Sequence, residues 1–371
     1  MHDEPPRTSL ASAVGWGFYL ASSWTWVIGM YLPVLLVRDY GVGGWIVFAI
    51  PNVVGAAAMG WVLRSRETAG RIVADHGAAV TTFTAVTISF QLFALMWLLP
   101  TLVGTGGVLL VLAALVCAVS YPLARGLGIP LNAIAVWVLS AAVFLMLASG
   151  GVLEPPPPTG DDPPWHLVGL APACLLGFLL CPYLDATFLH ARYETDRAGA
   201  RIAFTLGFGV LFLAMILFTL FYASPWSAGG FAGVAGWLLA AHLTAQVCFT
   251  VAAHSAVTRV SPATLLGIAA AAVLGLAALG GELADFRFLE LGAGEIIYRG
   301  YMAFYGLFFP GYVLLVMICR ADLRLYWLAC FLALPFFALG FLAGLMPWTA
   351  GGVLILLAAA VVAKVRRVSV A

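Results

Sequence analysis

The chain has 371 residues, 63% hydrophobic and 9% charged, with 17 Lys and Arg against 16 Asp and Glu and a net charge of +1. So few charges cannot cover the surface of a water-soluble globule of this size, and a near-neutral chain lacks the basic footprint of a nucleic-acid binder. What remains is an all-α integral membrane protein whose constant partners are lipids, with no nucleic acid.

Cut at its polar interruptions, the chain yields about twelve apolar runs, each near the roughly 20 residues that cross a bilayer as helix. They lie near 10–37, 43–63, 78–100, 105–123, 129–150, 166–189, 200–223, 230–253, 262–281, 297–319, 325–346 and 349–366. With the N-terminus inside, every Lys and Arg except Arg38, Arg287 and Arg299 falls on the inner side. The positive-inside bias therefore predicts both termini on the cytoplasmic face of the plasma membrane. Residues 1–8 carry Asp3, Glu4, Pro5 and Pro6, and the next run is span-length, so no cleaved signal is expected.

The first span is interrupted near its middle by residues 21–29, Ala-Ser-Ser-Trp-Thr-Trp-Val-Ile-Gly, with Pro33 following. Backbone groups released inside a bilayer persist only where protein or a watery cavity satisfies them. Trp24 and Trp26 lie halfway along the span, whereas tryptophan ordinarily sits at the membrane interface; they are expected to line a cavity or pack a helix joint. In the third span Thr84, Thr87 and Gln91 share a helix face, and Gln91 is the expected pocket residue.

Residues 151–164, with Pro155–Pro158 and further prolines at 163 and 164, predict an extended outer linker between spans five and six. An odd number of spans before it makes spans six to ten run opposite to spans one to five, as an inverted repeat requires. Span six has its own interruption over residues 177–187, around Cys181-Pro182. Asp185 is the one acidic residue expected within a span; on a continuous helix it would lie near the cytoplasmic surface as a solvated or hydrogen-bonded helix end, and a break there would bury it for coupling or gating. In span eight His242 and Gln246 are four apart on one face, where they serve either a pocket or an interhelical hydrogen bond. The six cysteines lie in or at the ends of apolar runs without CxxC spacing and read as small core hydrophobes.

Residues 294–300, Gly-Glu-Ile-Ile-Tyr-Arg-Gly, superficially resemble the first motif of intramembrane glutamate proteases. The adjacent second glutamate is missing and the last histidine, His254, lies upstream. Glu295 and Arg299 are better read as an i,i+4 ion pair, with Tyr298, Tyr301, Phe304, Tyr305, Phe308 and Phe309 as an interfacial belt and packing for span ten. No HExxH, GxSxG or P-loop motif occurs, so no enzymatic activity is expected. Lys364, Arg366 and Arg367 read as a cytoplasmic anchor.

Residues 21–66 resemble the first two core helices of the sodium:solute symporter family, including the aromatic-Gly pair Tyr40-Gly41 between them, and residues 177–204 resemble that family's sixth core helix and its basic link to the seventh. The resemblance covers about residues 11–260 at the level of pattern, and this chain starts directly at the first core helix. It implies a five-plus-five inverted repeat with helices 1 and 6 broken: a first repeat over 1–150, the linker 151–164, a second repeat over 165–320, and two accessory helices with a basic tail over 321–371. It also implies Na+ as a possible coupling ion, held by first-helix carbonyls such as that of Ala21 and by hydroxyls of the eighth helix. There the stretch 245–250 supplies one hydroxyl, Thr250, where the family pattern has two.

These readings converge on a secondary transporter that moves a small polar, neutral or zwitterionic solute by alternating access, coupled to Na+ or H+. Ser22, Ser23 and Thr25 would bind polar substrate atoms. Trp24, Trp26 and Tyr183 would stack or gate, Gln91, His242 and Gln246 would add hydrogen bonds, and Ala21, Thr250 and Asp185 would serve the coupling ion. The competing expectation is a transporter-like sensor or scaffold that has lost transport.

Overall fold

The computed structural model describes residues 7–104, 129–258, 285–289 and 291–368, with positions 107, 261, 267, 270 and 275. The runs expected at 105–123 and 262–281 lie almost wholly outside the described residues. Among those described, nine helices are long and apolar enough to cross a membrane, or ten when one bent pair is counted as a single span.

That bent pair is α1 (Leu10–Trp24) and α2 (Val27–Tyr40), which meet at 56°. Thr25, at φ −76° and ψ 75°, has the dihedrals of an inverse γ-turn, and Trp26 N–H bonds back to the Trp24 carbonyl at 2.8 Å. Pro33 leaves the Gly29 carbonyl without its helical partner, and the Thr219 hydroxyl takes its place at 3.0 Å.

Next come α3 (Val42–Val62) and the long α4 (Arg66–Val103). The lead into span three is itself helical, capped by Ser65 and joined to the span across a kink at His76. Helix α5 covers Ile129–Ser149.

The second interrupted span is α6 (Leu167–Leu180), a 3-10 turn over Cys181–Leu184, and α7 (Ala186–Glu194). Pro182 cannot donate to the Phe178 carbonyl, and the turn tightens. Asp185 then leaves helical geometry at ψ 114° and caps α7 by accepting from the amides of Thr187 and Phe188.

A π-helical turn at Gly207–Phe212 joins α8 (Arg197–Leu206) to α9 (Leu213–Ser227), and α10 spans Gly233–Val257. A two-stranded antiparallel pair, Arg287–Phe288 with Leu291–Gly292, precedes α11 (Ala293–Ala303). Two π-helical turns flank α12 (Phe309–Tyr312), and α13 (Leu323–Phe341) pairs with α14 (Trp348–Val368).

Helix α1 packs on α5 and α8, α3 on α6 and α8, and α4 on α10 and α7, so both breaks sit inside the bundle. Close crossings depend on residues without side chains. A Cβ on Gly55 of α3 would stand 2.2 Å from the Phe178 carbonyl oxygen of α6, the oxygen Pro182 leaves unserved. Gly55→Ala must push the two helices apart and is expected to lower stability by about 1–3 kcal/mol, seen as a lower Tm of the detergent-solubilised protein. An unchanged Tm would contradict this crossing.

The proline-rich segment is a strap as well as a linker. Its Asp161 and Asp162 amides bond the Arg38 and Asp39 carbonyls at 3.0 and 2.7 Å, satisfying the last turn of α2. Pro157 accepts from Val42 N–H, and Gly41, at φ +64°, has no room for a Cβ against Pro157.

Of the aromatics expected to serve an interfacial belt and packing, Tyr298 and Tyr305 serve packing: both are buried, with hydroxyls bonded to the Val27 carbonyl and to Thr87. Tyr298 packs on Phe90 and Tyr305 on Phe83, both of α4, where a phenol needs a protein partner rather than headgroup water.

Candidate functional site

The break between α1 and α2 releases the Ser22 and Ser23 carbonyls and the Val27 N–H, and each is met by a distant part of the chain. The Ser22 carbonyl faces the Thr250 hydroxyl of α10 at 3.4 Å, and the Ser23 carbonyl faces it at 3.5 Å while also accepting from the Trp26 indole N–H. Val27 N–H donates to Gln91 Oε1 of α4 at 3.2 Å, and the Val27 carbonyl accepts from Tyr298. The Ala21 carbonyl is taken by Thr25, through its amide at 3.0 Å and its hydroxyl at 2.7 Å.

The two breaks touch. Ser23 Oγ lies 3.1 Å from Thr187 Oγ1, which donates to Asp185 Oδ1 at 2.6 Å, and the Trp24 ring lies 4.8 Å from Phe188. Asp185 is fully buried, as a break at Pro182 predicts. Its Oδ2 faces His254 Nε2 of α10 at 3.6 Å, and among the described residues neither atom has a hydrogen-bond partner. His254 Nδ1 reaches Thr84 Oγ1 at 3.3 Å, and Thr84 reaches Thr258 at 3.4 Å.

Two cavities flank this junction. A void of about 50 Å³ lies among Trp24, Trp26, Asn52, Gly177, Cys181 and Tyr305, room for a water or two rather than a solute. The Trp24 indole donates to Asn52 Oδ1 at 2.7 Å on its wall. A cavity of about 730 Å³ lies among α4, α7 and α10, lined by Gly70, Gly77, Ala186, His190, Tyr193 and Thr258.

The expected site residues separate into groups. Trp24, Trp26, Ser22, Ser23, Thr25, Gln91, Asp185 and Thr250 converge on the two breaks. The Ser22 and Thr25 hydroxyls are spent on the carbonyls of Ala133 and Ala21. His242 and Gln246 sit apart, both bonded at 2.9 Å to Ser140 of α5, so they join α10 to α5. Tyr183 lines a different cavity with Arg71, Asp75, His76 and Arg320.

Sequence reasoning missed Asn52, His254 and Tyr305. A helical asparagine in an apolar run and a histidine on the face of Thr250 were the available signals, since residues four apart share a face. Tyr305 carried no sequence signal beyond its neighbours.

At the Arg38 end of α2 lies a second polar cluster. Arg38 bonds Glu295 at 2.9 and 3.2 Å and Asp39 at 2.7 Å, and Arg299 bonds Glu295 at 2.6 and 2.9 Å, Asp39 at 3.3 Å and the Phe341 carbonyl at 2.9 Å. The expected Glu295–Arg299 pair is present, and it ties α2, α11 and α13 together.

The class these observations define is a polytopic all-α membrane protein with two interrupted helices meeting at a buried polar junction. No family model, no curated protein and no solved structure matches the chain.

Proposed function

We propose that the protein is a secondary active transporter for a small polar, neutral or zwitterionic solute, working by alternating access on a five-plus-five inverted repeat like that of the sodium:solute symporter family. The observation that carries this reading is the meeting of the two helix breaks through Ser23 and Thr187, beside a small void and next to a larger cavity. Discontinuous helices bring peptide groups to the middle of a membrane, where a transported solute must be held.

Packing supports the repeat. Exchanging α1 for α6 and α3 for the helix of α8 and α9 turns the α1–α8 contact into the α6–α3 contact, and both are present. The same exchange turns α1–α5 into the contact of α6 with the π turn after α11, also present, and leaves the α4–α10 contact unchanged. Arg192 of α7 ties this bundle further, donating to the Leu63 and Arg64 carbonyls at the end of α3.

In this reading, which the Lys and Arg distribution supports, both termini are cytoplasmic and the Arg38–Asp39–Glu295–Arg299 cluster lies outside. The clustered charges close the outer side, and the large cavity faces inward. Solute enters between the bundle of α1, α3, α6 and α8 and the helices α4 and α10 as these rock apart. The coupling ion, Na+ or H+, acts close to the breaks, where Thr250, Ser22, Ser23 and Asp185 present oxygen atoms.

Counterflow into proteoliposomes, with a panel of labelled sugars, nucleobases and amino compounds, tests the reading. Saturable exchange of at least one solute is expected. Exchange of none would favour the sensor or scaffold alternative, which has in its favour that the Ser22 and Thr25 hydroxyls are already bonded within the protein.

A further inference from the structure

We infer that the coupling ion is a proton, held between Asp185 and His254 and exchanged with the large cavity through Thr84 and Thr258; this rests on the transport reading above. Three observations carry it. Asp185 Oδ2 and His254 Nε2 are fully buried, face each other at 3.6 Å and, among the described residues, lack any other partner. A lone carboxylate oxygen and a lone imidazole nitrogen in such a place are two groups between which a proton can pass. The remaining carboxylate oxygen accepts from Thr187 N–H, Thr187 Oγ1 and Phe188 N–H, so it has no capacity left for a cation.

The second observation is continuity. Thr258 lines the large cavity, and from it the chain of groups runs to Thr84, His254, Asp185, Thr187 and Ser23, with successive separations of 3.4, 3.3, 3.6, 2.6 and 3.1 Å. It begins at a water-accessible wall and ends inside the break of α1. A proton from cavity water enters at Thr258. Each hydroxyl accepts one proton and releases its own; His254 gains one at Nδ1 and gives the one on Nε2 to Asp185 Oδ2. Only the pair changes charge, from −1 to neutral.

The third is the surrounding chemistry. Among the described residues, Asp185 is the one charged group acting on His254. The other titratable neighbours of Asp185 are the Cys181 thiol of the 3-10 turn and the Tyr305 phenol of the π turn. The break between α1 and α2 presents Ser23 and Trp26 and α4 presents Thr84, none of them ionisable, while His190 of α7 turns to Trp16 and Tyr19. A hard cation needs several oxygen ligands, and the gap offers one oxygen and one nitrogen. Protonating Oδ2 removes the charge at which Thr187 is aimed and loosens the tie between the two breaks.

The His254 ring lies 6.1 Å from the Trp26 ring, so neutralising the buried Asp185–His254 pair and moving the His254 proton from Nε2 to Nδ1 changes the field at the indole and with it the emission. Purified wild type is expected to show a sigmoidal change of tryptophan fluorescence on acidification below about pH 8, with the same midpoint in NaCl and KCl. His254→Gln and Asp185→Asn, each checked by gel filtration, are both expected to abolish it; if one fails to fold, the other decides. A flat wild-type titration, a transition that survives the variants, or a sodium-dependent midpoint overturns the proposal. With a counterflow-positive solute, a pH gradient of about one unit is expected to sustain about tenfold accumulation for one proton per solute. Accumulation driven by a sodium gradient alone overturns the proposal as well. A wild type without counterflow defeats the transport reading instead, and the fluorescence titration still decides the proton site.

Discussion

Arg299→Ala is expected to destabilise the protein by about 3–5 kcal/mol, read as a large fall in Tm of the purified protein in detergent. The guanidinium is 10% exposed and holds Glu295, Asp39 and the Phe341 carbonyl at once. Removing it strands two partly buried carboxylates near each other with Arg38 as their one remaining cation. The lost Coulomb attraction is the smaller part of the effect, because most of the cost comes from carboxylates left underserved in a poorly solvated site. Arg38 is 32% exposed, and Arg38→Ala leaves both carboxylates on Arg299. Water replaces much of what it supplied, so its effect is expected to be the smaller of the two. Combining Arg299→Met with Glu295→Gln is expected to recover part of the loss, since neighbours in one network are not additive. Equal effects of the two arginine substitutions would contradict the buried arrangement.

Trp26→Ala is expected to cost about 3–5 kcal/mol and to abolish counterflow of any solute the wild type exchanges. The indole is 3% exposed and packs on Trp24 at 4.3 Å and on Phe83 and Tyr305 at 5.5 Å, and its N–H serves the Ser23 carbonyl. Alanine leaves a cavity that merges with the existing void and frees a carbonyl at the break. Trp26→Phe keeps most of the packing and loses the hydrogen bond, for an expected cost of about 1–3 kcal/mol. A Trp26→Phe variant as damaged as the alanine variant would mean that the bond to the Ser23 carbonyl matters more than the packing of the ring. Two benign variants would remove Trp26 from the junction altogether.

Much of the junction was legible in the chain itself because bilayer physics makes the sequence explicit. A Ser-Ser-Trp-Thr-Trp stretch and a Cys-Pro pair in the middle of apolar runs are costly unless the backbone there has other partners, so both interruptions could be read as breaks. Asp185 was legible for the same reason, and its burial follows from the turn at Pro182. His242 and Gln246 show the limit of that logic. They share a helix face with each other, as their spacing requires, but the face meets Ser140 rather than the breaks, and spacing within one helix says nothing about which neighbour it meets. Tyr183 sits one residue beyond Pro182 and yet turns to a different cavity, because a 3-10 turn advances side chains by a larger angle than an α-helix does.

Composition and period alone determined the class, the approximate spans among the described residues, the two interruptions and the proline-rich divide, since each is a local response of backbone and side chain to a solvent that cannot hydrogen bond. Only the tertiary structure decided which groups answer the broken backbone. Thr250, Gln91 and Tyr298 lie far along the chain from α1, and His254 meets Asp185 across 69 positions of sequence. Those partners are chosen by how helices cross, and a crossing is set by small residues such as Gly55 on surfaces that one helix cannot specify without the other.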